Sequence, residues 1–134
     1  MRRTALALVL CAAACGGVGA PLPPSASPTP IPPIPGAVLI TRANDRGTVR
    51  GARVGDTIQI ALGTEYEWRV DPPDGVVLVS GVQRYLLVRG TQAVWTAASP
   101  GTATITATGT VVCPSGQACI LIALLFTTTV VVAP

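Results

Sequence analysis

The sequence predicts an all-β domain, an antiparallel β-sandwich, on three observations. Short apolar–polar alternations recur every eight to twelve residues, glycine and proline punctuate them, and no window repeats apolar residues at helical spacing. One strict alternation follows the turn at Ser99 and runs to Thr108. Ser99-Pro100-Gly101 has the chemistry of a type II turn, with proline presetting φ and glycine accepting a positive φ. Threonines 102, 104, 106 and 108 then face one way while Ala103, Ile105 and Ala107 face the other, the mark of a half-buried strand. Alanines flanking one isoleucine leave space opposite, and Trp68 and Trp95 are the large side chains expected to fill it.

The chain divides into an export segment, a spacer and one domain. Met1 to Ala14 reads as a signal peptide: Arg2 and Arg3 supply the positive end, and an apolar stretch too short to span a bilayer follows. Residues 15–36 form the second segment. Ala12-Ala13-Ala14-Cys15-Gly16 resembles the lipobox of bacterial lipoproteins, which implies lipidation of Cys15 as the mature N-terminus; Ala12 stands where that pattern usually has leucine. The other reading is an ordinary A-x-A cleavage after Ala14 or near Ala20. From Gly16 to Gly36 the chain carries eight of its thirteen prolines, the composition of a semi-rigid polyproline II spacer. Residues 37–134 are left for the folded domain, a size that suits one sandwich.

Within that domain each strand has a local reason. Val38 to Thr41 is a first strand, Asn44-Asp45-Arg46-Gly47 a turn, and Thr48 to Val54 an edge piece. Thr57 to Leu62 places Ile58, Ile60 and Leu62 on one face. After Gly63-Thr64, Glu65 to Val70 alternates again, with Tyr66, Trp68 and Val70 inward and Glu65, Glu67 and Arg69 outward, making a hairpin or sandwich corner with the strand before it. Two prolines make Asp71 to Gly75 a loop. Val76 to Val79, Arg84 to Val88 and Gln92 to Ala98 are short strands, the last with Ala93, Trp95 and Ala97 in phase. Gly109 is expected to open a loop through Ala118, and Leu124 to Val132 to close the sheet with Phe126, Thr128, Val130 and Val132 inward. Ile120 to Phe126 is an unbroken apolar run that fits a buried strand, a hydrophobic contact patch or an aggregation-prone edge.

Composition excludes several functions. The chain has no histidine, and all nine basic residues are arginine, so a Ser-His-Asp or Cys-His site is impossible and a zinc site would need cysteine or carboxylate alone. Removal of Arg2 and Arg3 would take the net charge from +3 to +1, too little for nucleic-acid binding. Cys11 would leave with the signal, so Cys113 and Cys119 remain as a structural disulfide; their spacing is not that of a C-x-x-C redox pair, and no metal or cofactor is expected. Glu65, Glu67, Asp71 and Asp74 are the acidic cluster. Calcium or glycosidase chemistry could use them, but Glu65 and Glu67 fall on a solvent face with Arg69 beside them.

Val54-Gly55-Asp56-Thr57-Ile58, Trp68 and Pro100-Gly101-Thr102-Ala103-Thr104-Ile105-Thr106-Ala107 resemble the bacterial immunoglobulin-like domains, which implies an immunoglobulin-like sandwich and a surface module for binding or structure. Tyr66-Glu67-Trp68 also resembles the end of the first binding loop of chagasin-like inhibitors of papain-type cysteine proteases, N-P-T-T-G-Y-x-W. Glu65 stands in place of the glycine, Leu62-Gly63-Thr64 does not reproduce the N-P-T, and the R-P-W of the third loop is absent. Arg89-Gly90-Thr91 lies where the second loop would be.

The expectation is therefore a non-catalytic module on the cell envelope surface or in the periplasm, anchored to the membrane through lipidated Cys15 or else secreted, that binds an extracellular protein or polysaccharide. The alternative is a chagasin-like inhibitor. Either way the contact residues fall in loops: Gly63, Thr64, Glu65 and Tyr66; Arg89, Gly90 and Thr91; Pro114, Ser115, Gly116 and Gln117.

Overall fold

The computed structural model describes residues 30–81 and 89–134. The signal peptide, Cys15, most of the proline-rich segment and the expected strand Arg84 to Val88 lie outside the described residues. The described chain forms an immunoglobulin-like β-sandwich of eight strands: β1 Val38–Ile40, β2 Thr48–Arg53, β3 Thr57–Ile60, β4 Tyr66–Val70, β5 Leu78–Ser80, β6 Ala93–Ala97, β7 Gly101–Val111 and β8 Ala123–Ala133. One sheet has the order β1-β3-β6-β5, the other β2-β8-β7-β4. The expected hairpin or corner between β3 and β4 is a corner, because the chain changes sheet there.

The alternation in the sequence is the alternation of burial. Ile58 and Ile60 on β3, Trp95 and Ala97 on β6, and Leu78 on β5 meet Ala103, Ile105 and Ala107 on β7 and Phe126, Val130 and Val132 on β8 in one core. Thr128 is buried with them and donates its hydroxyl to Gly47 O at 3.2 Å, which satisfies its polar atom. Both tryptophans belong to this core, Trp95 inside it and Trp68 packed against it.

Four details depart from the sequence reading. The sandwich is mixed rather than wholly antiparallel, since β1 pairs with β3 and β2 with β8 in parallel. A turn in which Ala37 N–H donates to Ile34 O at 3.0 Å reverses the chain just before β1, which then runs alongside β3; residue alternation carries no information about strand direction. Gly109 does not open a loop, for β7 continues to Val111 with Trp68 opposite Gly109. The strand expected from Val76 begins only at Leu78, because Asp74 Oδ1 takes the N–H groups of Val76, Val77 and Leu78 at 2.8, 2.8 and 2.9 Å in a turn. Ala61 and Leu62 stay buried but leave the ladder, their N–H groups going to Ile40 O and to Gln92 Oε1.

Candidate functional site

Strand directions bring the candidate loops to one end. Ile60 at the end of β3 pairs with Ala93 at the start of β6, and Tyr66 at the start of β4 pairs with Val111 at the end of β7. The β3–β4, β5–β6 and β7–β8 connections therefore leave the sandwich together. Two of them are bonded directly: Gly63 N–H donates to Gly90 O at 3.2 Å. The Gln92 side chain locks that junction, its Oε1 accepting from Leu62 N–H and its Nε2 donating to Gly63 O, each at 2.7 Å.

Gln59 does the same one layer deeper. It is fully buried on β3, where Nε2 donates to Thr91 Oγ1 at 2.9 Å and to Pro32 O at 3.3 Å, while Oε1 accepts from Ile34 N–H at 2.7 Å. Ile31 lies over Gly90: a Cβ added at Gly90 would stand 3.0 Å from Ile31 Cδ1, and its φ of +90° independently favours glycine. The end of the proline-rich segment is thus strapped to the β5–β6 loop, and the chain reaches the domain beside its loop end.

The sequence candidates sort by what they can touch. Thr64, Glu65, Arg89, Pro114, Ser115, Gly116 and Gln117 are exposed. Gly90 and Thr91 are buried, so they support the loops rather than present a surface, and Gly63 is half-buried in the same junction. Tyr66 is half-buried, with its ring 5.8 Å from that of Trp68 in an edge arrangement and the Arg42 guanidinium 5.1 Å above it. Arg42 also forms an ion pair with Glu65, both side chains being well exposed, which makes the pair weak. The acidic cluster is split. Glu65 and Glu67 lie toward the loop end of β4 and Asp71 and Asp74 beyond its other end, so no group of three metal-ligating side chains forms among the described residues.

The third loop is stapled. Cys113 and Cys119 form the disulfide, with Cα atoms 5.9 Å apart, around the exposed turn Pro114–Gln117. Next to the bridge, Val112, Ile120, Leu121 and Ile122 are exposed, so the apolar run up to Ile122 is not a buried strand, which leaves a contact patch or an aggregation-prone edge. Below the loop end a recess of about 410 Å³ is lined by Arg42, Asp45, Trp68, Leu124 and Phe126 among others. The buried Trp68 Nε1 has no hydrogen-bond partner among the described residues.

Gln59, Gln92, Arg42 and the Ile31–Ile34 strap were not singled out by the sequence. Gln59 carries the one available signal, a glutamine between Ile58 and Ile60, but a polar residue at that phase normally faces solvent.

No known protein-family description matches the chain, and no curated protein matches it. Among solved structures it is similar to the cysteine protease inhibitor EhICP2 from Entamoeba histolytica, at 18% identity and a TM-score of 0.50 over 71% of this chain and 93% of that one. The solution structure of amebosin aligns at 21% identity and a TM-score of 0.42, over 72% of this chain and 98% of that one. At 18% identity the first likeness speaks for the fold: this chain shares its sandwich with a protease inhibitor.

Proposed function

We propose that the protein is a non-catalytic inhibitor of papain-type cysteine proteases, exported and held at the cell envelope by a lipidated Cys15. The observation that carries the reading is the convergence of three loops at one end, two of them locked to each other through Gly63, Gly90 and Gln92. Residues pre-fixed in this way lose little entropy on entering a cleft. The shared fold with EhICP2, itself a cysteine protease inhibitor, and the Tyr66-Glu67-Trp68 match support the same reading.

Inhibition assays with the purified full chain against a panel of papain-type proteases test it. Competitive inhibition at submicromolar concentration is expected, and no inhibition of any member at about 10 μM overturns it. The anchor is tested separately by mass spectrometry of the protein from membranes, where an acylated Cys15 at the N-terminus is expected. An unmodified cysteine, or an N-terminus beyond it, removes the anchor and leaves the inhibitor reading untouched.

A further inference from the structure

We infer that the apolar collar flanking the disulfide, formed by Val112, Ile120, Leu121 and Ile122, is the anchor by which the loop end grips its partner, and that it fits an uncharged apolar groove bordering the protease cleft. This rests on the inhibitor reading above and adds which residues grip and what surface they need.

Exposure is the first observation. Leu121 is 96% exposed and Ile120 77%, with Val112 and Ile122 each half exposed or more. Scattered exposed aliphatic residues are ordinary, but three in succession joined by a fourth across the hairpin form a contiguous patch of the kind that marks an interaction surface. Rigidity is the second. The collar is held between two fixed rungs, the Thr110–Ala123 ladder pair below and the Cys113–Cys119 bridge above. Val112 and Ile120 sit immediately outside the bridged pair, so the disulfide sets their spacing. A patch arranged before binding gains affinity by avoiding the ordering cost.

Charge decides the partner's chemistry. From Gly90 to Pro134 the sequence contains no Asp, Glu, Lys or Arg, so the collar and its loop bring no charge of their own to a groove; the charges alongside, Glu65 and Glu67, belong to β4, whose Tyr66 and Glu67 pair with Val111 and Thr110. A lipid surface fits less well. The exposed, polar Pro114–Gln117 turn occupies the middle of the same loop, and the loop lacks the basic and aromatic residues that interfacial anchors use.

The experiment compares the full chain with its Ile120→Asp/Leu121→Asp variant. Inhibition constants are measured at about 0.1 M and 1 M NaCl, on either side of strong screening, with melting curves, vesicle co-sedimentation and solution mass alongside. Because both side chains are exposed, the variant is expected to melt with the wild type, to inhibit at least about 30-fold more weakly, and the wild type to keep its inhibition in high salt. A variant within about threefold of the wild type overturns the collar and leaves the inhibitor reading standing. A wild type that inhibits nothing overturns both. Binding of the unacylated wild type, and not of the unacylated variant, to phosphatidylcholine vesicles would make the collar a lipid site, and dimerisation lost in the variant would make it a self-contact; either result overturns the assignment.

Discussion

Gly109 is where the strand pattern meets a packing requirement. It occupies an inward position on β7, and the Trp68 ring fills the volume its side chain would take: an added Cβ would lie 2.8 Å from Cζ3, 2.9 Å from Cε3 and 3.0 Å from Cη2. Edge contacts with Tyr66 and Phe126 hold the ring in this position, so an added methyl group must displace a packed side chain. Gly109→Ala is expected to destabilise the domain by about 2 kcal/mol, lowering the melting temperature by roughly 10 °C; an unchanged melting curve would mean the ring can shift. In the sequence this glycine reads as a loop, because glycine usually interrupts strands, and the tryptophan opposite explains its place. Asp74 gives the other residue-scale expectation. Burial pushes its carboxyl up, but the N–H groups of Leu78, Val76 and Val77 outweigh that and hold it below its ordinary 3.8. A folded value lower than the unfolded one means stability that is present above about pH 4 and lost as pH falls through the folded value. Asp74→Asn keeps an acceptor oxygen and does not titrate. In urea titrations between about pH 6 and pH 3, the wild type should lose more stability than the variant.

Among the elements, the strap carries the structural surprise. Residues 31–34 read as spacer, yet their backbone bonds run to Gln59, which in turn holds Thr91. Gln59→Leu would fill a similar volume while leaving the half-buried Ile34 N–H and the buried Thr91 hydroxyl without that partner, at a cost of about 2 kcal/mol. Amide exchange should then rise at Ile34 and, through Gly90, at Gly63, whereas Ile105 at the centre of β7 keeps its protection in proportion to global stability. Protection at Gly63 unchanged relative to Ile105 would show that the loops are held without the strap. Alternation located the strands because each one has a wet and a dry face. It could not locate Gln59, whose partners lie 25 to 32 residues away in sequence, since a buried, fully bonded amide and a solvated one look alike in a period-two pattern. The disulfide was legible because Cys11 and Cys15 fall in the stretch that reads as signal and anchor, which leaves Cys113 and Cys119 to pair with each other. Replacing both by serine should cost about 2 kcal/mol by loop-closure entropy, read from urea unfolding, and a cost near zero would show that the loop is equally restricted without the bridge.

At the scale of the whole molecule, the strap fixes where the tether leaves. Ile31 packs on Gly90, and Gly90 is bonded to Gly63, so the described end of the proline-rich segment lies at the end that carries the candidate loops. In a protein anchored at Cys15, that end would face the membrane unless the tether lets the domain turn over. The long axis of the sandwich follows from β7, whose 11 residues at about 3.4 Å each span roughly 37 Å. Residues 16–30, at the polyproline II rise of about 3.1 Å, would reach roughly 45 Å, which is longer than the domain. A tether of that length would be long enough to free the loops, with little to spare. Deleting residues 18–27 would leave only five of those residues, about 15 Å of reach, and hold the loop end against the bilayer. Anchored on vesicles, the shortened protein should inhibit a soluble protease at least about tenfold more weakly than the full-length one, while the two inhibit equally once released in detergent. Equal inhibition on vesicles would mean that the loops are accessible without the long tether; a loss that persists in detergent would mean that residues 18–27 contribute to binding itself.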